Sequence, residues 1–264
     1  GNSICAERAA LTQLRWIPDA VVTKIVIVTD APHAVAPGML CREFMSSQPQ
    51  ISLDVPIVLG GTTCCPDPDN ENDIDPMSDG YDYVESISTL KQLYPFPSLF
   101  MRKSLQDCLM MGAKWKDACM SSETHLMKLA RLAAERDDSV ELHPISYGAA
   151  VLFRDKSYAT ANQVKGLEYG CSLDAVCQLA SILRLKRSKG ILPLQLVQVD
   201  QFGIAHAPFA PARSFLIEQG YGDVQVLIHT WNNATEGIQW HTVRAHDLAP
   251  KAPYLGVLHL NDMT

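Results

Sequence analysis

The sequence predicts an α/β protein made of two similar units. Three observations carry this expectation. Short apolar runs rich in β-branched residues alternate with stretches of helical periodicity, and the connections between them are brief. The order helix, strand, Pro-containing turn, helix, strand occurs twice. The chain has 264 residues, 47% hydrophobic and 19% charged, a globular composition in a length that suits one large domain or two small ones.

In chain order, Cys5 to Leu14 has a helical pattern. Lys24 to Val28 reads as a buried strand because its β-branched side chains suit a pleated surface. Thr29 to Pro37 is a turn, and a short helix begins near Gly38 and carries Cys41 and Arg42. Val55 to Leu59 is the next strand. Pro66 to Tyr83 is acidic and rich in Pro, Asp, Asn and Gly. It reads as a solvated surface loop, since the ligand spacing of a calcium loop is absent. Met101 to Arg136 is helical, with a helix start at Ser121-Ser122-Glu123 and apolar positions at Leu126, Leu129, Ala130 and Ala133. Tyr147 to Phe153 is a strand, turned by Asp155 to Ser157 into a second one.

The internal repeat organises the rest. Cys5-Ala6-Glu7-Arg8 opens a helix in the first half, and Cys171-Ser172-Leu173-Asp174 opens one in the second. An apolar strand follows each, Ile25 to Thr29 and Leu194 to Asp200. A Pro-containing turn then leads into a helix bearing an arginine: Pro37 to Arg42, and Pro208 to Arg213. Val55 to Leu59 matches Val224 to Ile228, and Leu93-Tyr94-Pro95 matches Leu248-Ala249-Pro250. The expected units are 1–118 and 119–264. The second is preceded by a helix and hairpin, roughly Glu123 to Gly166, which have no counterpart in the first. The first unit is therefore expected to lack its start in the sequence given.

Composition narrows the function classes. No run of about 18 apolar residues exists, so no membrane span is expected, and the first residues do not form a signal peptide. The net charge of −7 gives no direct support for nucleic-acid binding. The one basic run, Arg184, Lys186, Arg187 and Lys189, reads as a solvated helix end. The eight cysteines do not form a disulfide framework, which points to an intracellular compartment, cytoplasm or mitochondrion.

Cys5-Ala6-Glu7-Arg8, followed by Pro37-x-x-x-Cys41-Arg42, resembles the tetrameric, all-cysteine class of cytidine deaminases. That family reads Cys-Ala-Glu-Arg and then Pro-Cys-Gly-x-Cys-Arg, and the resemblance runs through both halves. It implies two cytidine-deaminase-like units, each a mixed sheet of about five strands flanked by helices. It also implies a zinc ion on three protein ligands, an activated water and a glutamate that shuttles protons. Carried over, Cys5 is the first ligand, Glu7 the catalytic proton shuttle and Cys41 the third ligand. The second ligand position falls on Gly38, which has no side chain, so the zinc motif is incomplete. His33, Cys64 and Cys65 are candidate replacements. In the second unit Leu173 stands at the glutamate position and Phe209 and Ala212 at the later ligand positions, and only Cys171 remains. Those four are expected to share one metal-free apolar pocket. His206 nearby reads as structural.

Two functions remain open from sequence. One is a catalytically impaired deaminase fold serving as a structural or interaction subunit, within a ribonucleoprotein or other large assembly. It would hold no cofactor and meet protein partners, or copies of itself, through the deaminase-fold surface. The other is a zinc-dependent hydrolase that deaminates cytidine or a related nucleoside, with the first unit active.

Overall fold

A computed structural model describes residues 5–29, 34–62, 83–137, 139–166, 172–232 and 237–252. His33, Cys64, Cys65, Cys171 and nearly all of the acidic segment after Pro66 lie outside the described residues. The architecture is mixed α/β, with two sheets flanked by helices. The chain divides into two compact units, Gly1–Tyr94 with Lys251–Thr264, and Pro95–Pro250.

The first unit opens with α1 (Ala6–Leu11), which tightens into a 3-10 turn over Thr12–Trp16. β1 (Ile25–Val28) pairs in parallel with β2 (Pro56–Thr62), Ile25 opposite Ile57 and Val28 opposite Gly60. Parallel neighbours need a crossover, and α2 (Met39–Ser47) lies in it. Met39, Arg42 and Met45 recur every three residues, and with Cys41 and Ser46 they form the buried face of α2. β3 (Tyr83–Thr89) returns antiparallel to β2. Thr89 then starts the short helix α3 (Leu90–Leu93) with a capping box to Gln92. Ile57 and Leu59 point into the core, while Val26 and Val28 of β1 and Ile87 of β3 stay exposed. Among the described residues this sheet has three strands rather than about five, and β1 forms one edge.

The second unit begins with α4 (Leu105–Ser122), capped by Ser104, and α5 (His125–Ala134), capped by Thr124. Within the helical stretch expected over Met101 to Arg136, Thr124 caps α5 beside the helix start expected at Ser121-Ser122-Glu123. Arg131 bridges the junction to Glu123 at 3.0 Å. β4 (Tyr147–Phe153) and β5 (Tyr158–Asn162) form a hairpin, and β4 runs antiparallel to β6 (Pro193–Asp200). α6 (Ala180–Ser188) precedes β6. The short β7 (Ala205–His206) folds back on β6. After α7 (Ala210–Glu218), β8 (Gln225–Asn232) joins parallel to β6, and β9 (Gly237–Arg244) closes antiparallel to β8. This sheet has six strands, the expected five and β7. Alternation along β6 sends Leu196 to the core formed with α6 and α7, and Val197 and Val199 to the core under α5. β4 approaches α5 so closely that a Cβ on Gly148 would lie 2.1 Å from the Ala130 carbonyl oxygen.

The compact units divide at Tyr94 and Pro95, not at the expected 118/119. The reason is packing: Cys108 and Cys119, on opposite ends of α4, are buried in one cluster with Phe100, Ile145, Tyr147 and Ile204. The whole helix therefore belongs to the second unit. The helix expected to open at Cys171 also begins later, as a 3-10 turn at Cys177–Leu179. Asp174 sets this start, its carboxylate accepting from the Val176 and Cys177 amides at 2.7 and 3.1 Å.

The two units use their arginines alike. Arg42 is fully buried. It donates through Nε to the Pro37 carbonyl at 2.6 Å, and through its other nitrogens to the Leu93 and Lys251 carbonyls at 2.7 and 2.8 Å. Arg213, also buried, donates through Nε to Pro208 at 2.8 Å and through Nη1 to Leu248 at 3.0 Å. In each unit the arginine ties its helix to the turn before it and to the short helix after the last strand. Among the described residues no helix is long and apolar enough to cross a membrane.

Candidate metal centre

Two helix starts build the candidate site. Cys5 is the N-cap of α1 in extended backbone (φ −60°, ψ 148°), and its carbonyl accepts the Ala9 amide at 3.0 Å. That places Glu7 in the first turn. Gly38 is the N-cap of α2 (φ −62°, ψ 159°) and accepts the Arg42 amide at 3.0 Å, which places Cys41 in the first turn of α2. The two cysteine sulfurs and a Glu7 carboxylate oxygen all lie within 4.8 Å of one another. Cys5 is exposed, Glu7 half-buried and Cys41 buried.

Arg8 serves this cluster. Its Nη2 donates to Cys5 Sγ at 3.7 Å, and that hydrogen bond is the first cause holding the guanidinium above its ordinary pKa. The Cys41 thiol is pushed up to about 12, first by burial, then by its hydrogen bond with Cys5 and the charges of Glu7 and Cys5, with Arg8 opposing. A buried thiol beside a carboxylate holds its proton unless a cation replaces it.

The described donors alone do not complete a catalytic zinc site. A catalytic zinc needs three protein ligands and one open position. Cys5 and Cys41 supply two. Among the described residues, a Cβ built on Gly38 would meet nothing within 4 Å. Glu7 reaches the count of three only by becoming a ligand, which removes it as a proton carrier. The described donors thus make either a metal site without a shuttle or a shuttle without a complete metal site.

No protein-family model matches the chain, and no curated protein matches it. Solved structures do. Cytidine deaminase from Mycobacterium tuberculosis is 27% identical, over 49% of this chain and 95% of that one, with a TM-score of 0.38. Cytidine deaminase from Burkholderia pseudomallei is 21% identical, over 49% of this chain and 99% of that one, with a TM-score of 0.39. The enzyme from Mycobacterium leprae is 22% identical, over 48% and 99%, with a TM-score of 0.37. The structural neighbours are cytidine deaminases. Each match takes in about half of this chain.

The corresponding positions of the second unit do not form the expected single pocket. Leu173 is 51% exposed and pairs with Val164 through an isolated antiparallel bridge. Phe209 caps α7 and is half-buried, edge-on to Tyr147 at 5.1 Å. Ala212 is fully buried, but in the other cluster, among Val176, Leu179 and Leu216. Cys171 lies outside the described residues. His206 is not alone: its ring is buried against the Asp200 carboxylate at 3.0 Å. The signal for that pair was present as an Asp at the end of a strand and a His six residues on, across a tight turn.

Proposed function

We propose that this chain is a tandem of two cytidine-deaminase-like units whose zinc chemistry has lapsed, and that it serves as a structural or interaction subunit. The observation that carries the reading is Gly38. It removes one ligand from a site that otherwise keeps Cys5, Glu7 and Cys41 together, and nothing described lies near enough to stand in for it. The tandem reading is supported by topology. β1–α2–β2–β3–α3 and β6–α7–β8–β9 with its closing 3-10 turn share strand directions, and each has a buried arginine that donates to a carbonyl of the preceding turn and to one of the following short helix. The interaction reading is supported by the face of the first sheet. Val26, Val58 and Ile87 sit side by side in register, and Val26, Val28 and Ile87 are each at least 60% exposed. A contiguous apolar face of this kind is the usual mark of a contact surface. Protein partners of a large assembly, a ribonucleoprotein among them, or a second copy of the chain would cover it.

A second reading keeps the enzyme, a hydrolase of cytidine or a related nucleoside in the first unit. The close approach of Cys5, Glu7 and Cys41 favours it. It requires one more ligand, for which His33, Cys64 and Cys65 are the candidates. Measuring zinc and cytidine turnover on the same purified sample separates the two. A subunit without deaminase chemistry holds little zinc and releases no ammonia. Stoichiometric zinc with turnover lost on Glu7→Gln establishes the enzyme.

A further inference from the structure

The second unit holds a chain of polar groups that plays no part in the site above. Ser98 Oγ lies 3.3 Å from Nδ1 of His206. Nε2 of the same ring lies 3.0 Å from Oδ2 of Asp200. The side chains of His206 and Asp200 are fully buried, and Ser98 is half-buried. The partners set the tautomer. A carboxylate only accepts, so Nε2 carries the proton and the lone pair of Nδ1 faces the serine hydroxyl. Ser98 therefore donates to His206, while its oxygen accepts from the Phe100 amide at 3.2 Å.

Each member is held from outside. The second oxygen of Asp200 accepts the Phe202 and Ile204 amides at 2.8 and 3.0 Å. Phe100 and Tyr147 flank the imidazole, with ring centroids 4.8 and 5.4 Å away. The segment that delivers Ser98 is pinned by Arg213, which donates to the carbonyls of Pro95 and Phe96 at 2.7 and 2.8 Å. Phe96 itself sits at φ +51°. A bulky residue rarely adopts that left-handed backbone, and it persists only where its surroundings over-determine it. Leu99, the residue after the serine, lines a cavity of about 560 Å³ together with Met111, Trp115, Trp231 and Ile238. That volume lies in the range of small-molecule sites.

We propose that Ser98, His206 and Asp200 form a nucleophile, base and orienting acid that cleave esters with an apolar acyl group. Such a constellation is recognised by geometry and roles rather than by sequence order, and here the two ring nitrogens exchange their usual partners. A buried Asp–His pair alone would be structural. What adds chemistry is the hydroxyl of half-buried Ser98 on the free nitrogen, one residue before Leu99 of a cavity whose apolar wall of Met111, Trp115, Trp231 and Ile238 is rimmed by Lys103, Asp107 and Lys114. The proton of Ser98 passes to Nδ1 of His206 as Oγ forms a bond to the acyl carbon. The carbon–oxygen bond to the alcohol breaks, and the alcohol leaves with the proton from His206. Water then gives a proton to His206 and its oxygen to the acyl carbon. Ser98 leaves with that proton, so one ester and one water become one acid and one alcohol. Asp200 stabilises the imidazolium and keeps the ring in place. The site uses no residue of the metal centre, so it stands or falls apart from the zinc question.

The test treats full-length protein with a fluorophosphonate, whose phosphorus takes the serine oxygen as fluoride leaves. The modified residue is then mapped by mass spectrometry. General-base assistance is worth about a hundredfold or more, so the folded protein is expected to label at Ser98 about a hundredfold faster than the same protein in urea. Ser98→Ala, at a half-exposed position, is expected to abolish both that label and any hydrolysis of p-nitrophenyl butyrate. The labelled residue is read in unaltered protein, so the outcome does not depend on how buried variants fold. Ser98 unlabelled in the folded state, or labelled equally fast in urea, would overturn the proposal and leave a structural hydrogen-bond network.

Discussion

Replacing Arg213 with Met keeps the length and apolar stem of the side chain and removes its charge and donors. Four carbonyls lose a partner: Pro208, Pro95, Leu248 and Phe96, at 2.7 to 3.0 Å. The bonds to Pro95 and Phe96 are only partly buried, so water can take over there. Those to Pro208 and Leu248 are buried. A buried acceptor left without a donor costs about 1–3 kcal/mol, so two of them give about 4 kcal/mol for the variant. Against a domain stability of about 5–15 kcal/mol, that is a large fraction. Urea unfolding followed by tryptophan fluorescence reads the second unit chiefly, because Trp115, Trp231 and Trp240 lie in it and only Trp16 lies in the first. Arg213→Lys should fall between, since one ammonium cannot span the same carbonyls. A loss below about 1 kcal/mol for Arg213→Met would refute the view that this arginine ties the unit together.

Other expectations follow from the same packing. Gly148→Ala drives a Cβ into the Ala130 carbonyl and should cost about 3 kcal/mol or more, seen as a lowered melting temperature; a melting point near that of the parent would contradict the close β4–α5 approach. His229 accepts the Ala205 amide at 2.8 Å, and burial, with His206 and His241 adding to it, lowers its pKa to about 4. The folded state therefore prefers the neutral ring. This contribution is complete above about pH 6.5 and is lost as the pH falls toward 4, on the order of 3 kcal/mol, and His229→Gln should flatten that part of a stability–pH curve. Paired Val26→Lys and Ile87→Lys changes on the exposed sheet face should alter stability by about 0.5 kcal/mol or less while weakening self-association in sedimentation. An association unchanged by the pair would place the contact elsewhere.

Much of this fold was legible because its strands announce themselves. Tyr147–Phe153 is bounded by turn residues on both sides, and β1, β2, β6 and β8 are apolar runs with few alternatives. What misled was capping. Asp174 delays a helix that the Cys171 match placed earlier, whereas the polar run Ser121-Ser122-Glu123 did mark the start of α5, capped at Thr124. The unit boundary was misplaced because α4 carries few apolar residues in a clear stripe, so its attachment to Phe100 and Tyr147 shows only in three dimensions. At the metal centre, helix starts fix Cys5 and Cys41, so their approach could be read from spacing and motif. The Ser98–His206 contact could not, since its members lie 108 residues apart and neither belongs to a motif.

Zinc content of the full-length protein, measured by elemental analysis beside a Gly38→Cys variant, tests the central claim most directly. The account predicts far less than one zinc per chain for the parent. It also predicts a clear rise in the variant, because a Cβ at Gly38 meets nothing within 4 Å among the described residues and Gly38 caps the helix whose first turn carries Cys41. One tightly held zinc per parent chain, with sulfur ligands at about 2.3 Å by X-ray absorption, would contradict it and restore the deaminase.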